Sequence, residues 1–106
     1  MQQNQLQSDE NLLNIQKFKL AEDILFRQVE NEAVLLHIST GMYYSLSETS
    51  IIFWKALRDQ QPLSSALEKI TTEYEVEYSQ VMDDLKTFLE DLSNYGLISQ
   101  SSDQSN

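Results

Sequence analysis

Along the chain the spacing of apolar residues changes period, and each change marks an element. Ile24-Leu25-Phe26-Arg27-Gln28-Val29 and Ala33-Val34-Leu35-Leu36-His37-Ile38 are strand patterns separated by the polar turn Glu30-Asn31-Glu32. Ser39-Thr40-Gly41 is a second turn, with glycine where a hairpin needs positive φ. A third strand follows over Met42–Leu46, with Met42, Tyr44 and Leu46 on one face and Tyr43 and Ser45 on the other. Three strands joined by short turns predict an antiparallel meander. Such a meander leaves its third strand at an edge, where the free ladder can accept another chain.

After Ser47 the period becomes helical. Ser47 is a good N-cap and Glu48 suits the positive end of the helix that follows, with Ile51, Ile52, Trp54, Ala56 and Leu57 buried. Pro62 opens a second helix carrying Leu63, Ala66, Leu67, Ile70 and Tyr74. Glu75-Val76-Glu77 interrupts, and a third helix runs from Tyr78 to Tyr95 with Gly96 in the left-handed C′ position. Its apolar stripe centres on Val81, Leu85, Phe88 and Leu92, with Tyr95 towards one edge and Met82 and Leu89 towards the other. The stripe spans roughly 140°, wider than the ~100° a surface helix buries. It serves either two neighbours within the domain, or the core on one side and a ligand on the other.

The pattern predicts an α+β domain over residues 24–98, a three-stranded antiparallel sheet followed by three helices in a winged-helix-like arrangement. Residues 1–23 are expected to form a mobile N-terminal extension, Gln/Asn-rich to about residue 14, and residues 99–106 a disordered tail. Ile15, Phe18 and Leu20 form a lead-in strand or cover an edge of the core.

Composition narrows the function. The 106 residues are 41% hydrophobic and suffice for one small domain. No apolar run approaches the ~20 residues of a membrane span, and the start lacks the basic and apolar regions of a secretory signal. With no cysteine there is no thiolate site, so an intracellular, cytoplasmic protein is expected. A net charge of −10, with the seven bases scattered, repels nucleic acid and anionic lipid, and leaves a basic or apolar peptide as the natural partner. Solubility alone would also account for the acidity.

Catalytic signatures are lacking. The single histidine, His37, sits among apolar strand residues without a second His or any Cys beside it. Asp83-Asp84 and Glu90-Asp91 share a helix face, the ordinary mark of solvated acids rather than of a carboxylate pair. Two glycines leave no phosphate-cradling loop. No catalysis, cofactor or metal is expected. A winged helix that reads DNA needs basic or amide side chains on its recognition helix, whereas the third helix offers those four acids against Lys86.

The ordered set Val34-Leu35-Leu36, Gly41-Met42-Tyr43-Tyr44-Ser45-Leu46-Ser47-Glu48-Thr49 and Ile52-Phe53-Trp54 resembles the opening half of the PqqD-like proteins. Leu63-x-x-Ala66-Leu67-x-x-Ile70, Tyr74-x-Val76 and Asp84-Leu85-x-x-Phe88-Leu89-x-x-Leu92-x-x-x-Gly96-Leu97-Ile98 are similar to its second half. The family has Asn more usually than Ser at position 47, and often Gly at position 50. Its members are recognition elements of ribosomally made, post-translationally modified peptides. The resemblance implies a non-catalytic adaptor that binds the leader of a precursor peptide. The leader adds as a strand along Met42–Leu46, beside the third helix. The adaptor then presents it to a radical-SAM enzyme or a leader peptidase. On this basis Met42, Tyr43, Tyr44, Ser45 and Leu46 supply the edge, Met82, Leu85 and Leu89 an apolar pocket, and Lys86 a polar rim. Two alternatives remain: a winged-helix regulator or interaction module without a leader, and pairing of the free edge in a homodimer.

Overall fold

A computed structural model describes residues 17–100. Its elements are β1 (Phe18–Leu20), β2 (Ile24–Val29), β3 (Glu32–His37), β4 (Tyr43–Leu46), α1 (Glu48–Asp59), α2 (Leu63–Tyr74), α3 (Tyr78–Asn94) and β5 (Ile98–Gln100). β2, β3 and β4 form the expected antiparallel meander, in that order. The first turn is tighter than expected: Glu30 takes a left-handed φ of 56°, and Glu32 already pairs with Val29.

Alternation sorts the sheet into two faces. Phe26, Leu35 and Tyr44 align across the strands and face the helices; Leu35 is fully buried. The next row, Leu25, Leu36 and Tyr43, faces outward, and Tyr43 is 66% exposed.

The turn into β4 departs from the expected strand. Gly41 adopts φ 79° with open space where a Cβ would stand, so the backbone conformation and not crowding selects glycine. Thr40 Oγ1 takes the Met42 N–H at 3.2 Å, and His37 N–H donates to the Met42 carbonyl at 2.8 Å. These bonds hold Met42 in the turn, where it is exposed rather than packed beside Tyr44 and Leu46.

The helices begin and end on local signals. Ser47 and Ser50 form a reciprocal capping box: Ser47 Oγ accepts from Ser50 N–H at 3.3 Å, and Ser50 Oγ accepts from Ser47 N–H at 2.6 Å. Both positions that depart from the family's usual residues therefore act together at one helix start. At the other end of the domain, Gly96 (φ 75°) donates to Ser93 O and Leu97 donates to Leu92 O. That Schellman closure turns the chain back, burying Leu97 and Ile98.

Beyond the meander, β1 and β5 pair antiparallel, Leu20 opposite Ile98, as a separate two-stranded ribbon. Phe18 and Leu20 are thus in a lead-in strand, and both pack against the core. The domain limits drawn at residues 24 and 98 pass through this ribbon: β1 precedes the first limit, and Ser99 and Gln100 lie in β5. Residues 1–16 and 101–106, with the mobile extension and the disordered tail expected there, lie outside the described residues. Among the described residues, no helix is long and apolar enough to cross a membrane.

Candidate strand-edge site

β4 has β3 on one side and, among the described residues, no strand on the other. Antiparallel pairing alternates between residues that bond the neighbouring strand and residues that do not. The bond from His37 N–H to Met42 O, with Leu35 opposite Tyr44 and Val34 opposite Ser45, fixes the phase. Tyr44 directs its main-chain N–H and C=O to Leu35. Tyr43 and Ser45 direct theirs to the open edge.

A groove of about 420 Å³ runs between this edge and α3. Phe53 and Phe88 lie along it with ring centroids 5.8 Å apart, and Ser45, Asp84, Thr87 and Asp91 also border it. Tyr44 ties the strand to the helix: its hydroxyl donates to Asp91 Oδ2 at 2.9 Å, and its ring meets Tyr95 edge-on at 5.1 Å. Burial first, and then the Asp91 bond, push the Tyr44 hydroxyl up to about 12. The strand is therefore anchored through the groove's own wall, which fixes the spacing between edge and helix.

The structure separates the sequence-predicted residues into two sets. Tyr43, Tyr44, Ser45 and Leu46 belong to β4, whereas Met42 stays in the turn. Tyr44 and Ser45 border the groove, and Leu46 is buried beneath the sheet. Met82, Leu85 and Leu89 are buried, Leu85 completely. Lys86 and Leu89 border a different hollow of about 420 Å³, shared with Phe18, Ile98 and Gln100. The edge of α3 that lies beside β4 is the Phe88/Tyr95 edge, and the Met82/Leu89 edge expected to face the peptide lies on the other side. The physical reason is the β1–β5 ribbon, which packs along the Leu89 side of α3. The sequence does not single out Thr87, and it presents Asp84 and Asp91 only as solvated acids on one helix face; the i, i+3, i+7 spacing of the three is the available signal.

Among the described residues β2 also has an unpaired side, and by the same alternation Ile24, Phe26 and Gln28 point their main chains there. Arg58 of α1 lies over the Phe26 ring at 5.7 Å. A hollow of about 460 Å³ near Gln28 is bordered by Ile52, Lys55, Lys69 and Tyr74.

His37 has a structural setting. Its Nε2 lies 3.1 Å from Asp23 Oδ1 and 3.3 Å from Ser39 Oγ, and Ser39 N–H donates to Asp23 Oδ2 at 3.0 Å. Hydrogen bonding from Ser39, with His37 nearby, holds the Asp23 carboxyl below its usual range. The cluster fastens the β1–β2 loop to the turn that leads into β4. No group of metal-ligating side chains occurs among the described residues.

Two solved structures are similar to this chain. One is described as TbiB1 in complex with the TbiA(beta) leader peptide: 29% identity, TM-score 0.70, covering 80% of this chain and 99% of that one. The other is a lasso peptide synthetase B1 complexed with the leader peptide: 26% identity, TM-score 0.69, covering 78% and 98%. No curated protein matches. Residues 32–98, more than half of the sequence, match the family model for coenzyme PQQ synthesis protein D, and the chain therefore belongs to the PqqD family.

Proposed function

We propose that the protein is a non-catalytic adaptor. It binds the leader region of a ribosomally made precursor peptide by adding it as a strand to β4, and presents it to a separate modifying or processing enzyme. The observation that carries this reading is the open edge of β4, held by Tyr44 at a fixed distance from α3, with a groove between them. Strand addition draws affinity from main-chain hydrogen bonds, here from Tyr43 and Ser45, and selectivity from the side chains that enter the groove. The leader peptides held by the two similar structures support the choice of ligand. The separate enzyme is a radical-SAM enzyme or a leader peptidase of the same pathway. A cytoplasmic site of action goes with that assignment.

The order of elements, a small sheet against three helices, is winged-helix-like. DNA is disfavoured as its ligand, because α3 exposes Asp83, Asp84 and Glu90. Isothermal titration with the leader half and the core half of a precursor encoded beside the gene tests the proposal. Saturable heat with the leader half alone supports it. Binding of neither half, or of the core half only, overturns it for that precursor.

A further inference from the structure

The groove beside β4 has an aromatic floor, Phe53 and Phe88, and a rim on α3 that is acidic in sign. Asp84 and Asp91 border it beside the Phe53 and Phe88 rings, Thr87 and the Tyr44 side chain lie between them, and among the described residues no lysine or arginine borders it. The two carboxylates are seven residues apart on α3, about 10.5 Å at 1.5 Å per residue. A strand lying on β4 turns every second side chain towards the helix, at intervals of about 6.7 Å. One or two inward-facing side chains of an added strand therefore fall within the span between Asp84 and Asp91.

Among the described residues, each carboxylate accepts through one oxygen. Gln80 Nε2 donates to Asp84 Oδ1 at 3.1 Å, and Tyr44 Oη to Asp91 Oδ2 at 2.9 Å. These neutral donors orient the carboxylates without offsetting their charge. Asp91 is half-buried against Tyr44, where solvent screens a charge less than at the open surface. A hydrophobic strand laid here would leave both acids facing apolar side chains and would lose hydration without a counter-charge. A basic side chain between them gains two charge-assisted partners.

We infer that the peptide taken up by this groove carries a lysine or arginine at a position facing α3, and that Asp84 and Asp91 select it. The inference rests on the strand-addition reading given above and adds to it the class of residue that the groove discriminates. It also distinguishes the two acidic faces of α3. Asp83 and Glu90 lie on the same helix but do not border the groove, so they contribute to the overall charge and not to selection.

The test is a selection of random dodecapeptides displayed on phage against the immobilised full chain. Enriched peptides are then synthesised and titrated against the wild type, Asp84→Asn/Asp91→Asn, and the charge-matched control Asp83→Asn/Glu90→Gln. Asparagine keeps an acceptor for Tyr44 and Gln80, so amide spectra of the variants should superimpose on the wild type outside α3. The expected result is a consensus with Lys or Arg at one register, and amide shifts centred on Tyr43–Leu46. Affinity should fall about 5- to 30-fold in the groove variant and less than about twofold in the control. Peptides that shift Tyr43–Leu46 but lack a basic consensus, or bind all three proteins alike, overturn the selectivity and leave strand addition standing. Equal loss in both variants overturns it too, by assigning the effect to net charge. Peptides that shift other surfaces only, or no enriched peptide at all, remove strand addition and the selectivity with it.

Discussion

Replacing Ser45 by proline should disable the binding edge while leaving the domain folded. The Ser45 main chain points away from β3, its side chain is exposed on the outer face of the sheet, and it carries no core packing. Proline is tolerated on edge strands where the missing N–H faces solvent. The unliganded protein therefore loses no ladder bond. In the complex, the incoming strand loses the Ser45 donor and meets the pyrrolidine ring, leaving a peptide carbonyl unpaired as it is desolvated. An unsatisfied buried acceptor costs about 1–3 kcal/mol, which corresponds to about 5- to 150-fold weaker binding. Gln28→Pro is the matched control: its main chain points outward from β2, the opposite edge, so affinity should change by less than about twofold. The assay is fluorescence anisotropy with a labelled leader peptide, accompanied by urea denaturation to show that both variants fold cooperatively. Undiminished binding by folded Ser45→Pro would refute the β4 assignment. Weakening by Gln28→Pro instead would move the peptide to β2.

Three further outcomes follow from the same geometry. Thr87→Trp, which fills the groove beside β4, should weaken leader binding at least about tenfold, whereas Ser93→Trp, in the hollow next to β5, should not; the reverse result would restore the Leu89 side of α3 as the binding face. Tyr44→Phe should lower stability by about 1 kcal/mol at neutral pH through loss of the Asp91 bond. The folded-state Tyr44 hydroxyl is raised to about 12 from an ordinary value near 10. Its contribution is therefore full below pH 10 and is lost as pH rises towards 12. Urea midpoints of wild type and Tyr44→Phe should converge across that window, and parallel curves would contradict the assignment. Gly96→Ala should cost about 1–2 kcal/mol from left-handed strain alone, because a Cβ there would meet the His37 ring at an ordinary 3.8 Å. A much larger loss by thermal denaturation would show that space and not φ constrains the position.

Local signals made most of the fold legible. Alternation through Ala33-Val34-Leu35 gave the central strand, Gly41 marked a turn that requires positive φ, and Ser47 and Gly96 bounded the helices. The features left open or misplaced depend on contacts that periodicity does not register. Phe18-Lys19-Leu20 is too short to show a period, and its strand state is decided by Ile98–Gln100, some eighty residues further on. Met42 fits the alternation, yet Thr40 captures its N–H and keeps it in the turn. On α3 the stripe is nearly symmetrical about Leu85 and Leu92, so periodicity cannot say which side meets β4. The ribbon settles that by packing along the Leu89 side, which leaves Phe88, Asp91 and Tyr95 for the strand. The free edge itself was readable from the order of turns, because a three-stranded meander must end on one.

Amide hydrogen exchange followed by NMR, with and without saturating leader peptide, bears most directly on strand addition to β4. Tyr43 and Ser45, whose N–H groups face the open edge, should gain protection, while Tyr44, already paired with Leu35, should change little. An alternating gain of this kind at β4 is the signature of a new neighbouring strand. Protection confined to Ile24, Phe26 and Gln28, or to the hollow around Lys86, Leu89 and Gln100, would contradict the account.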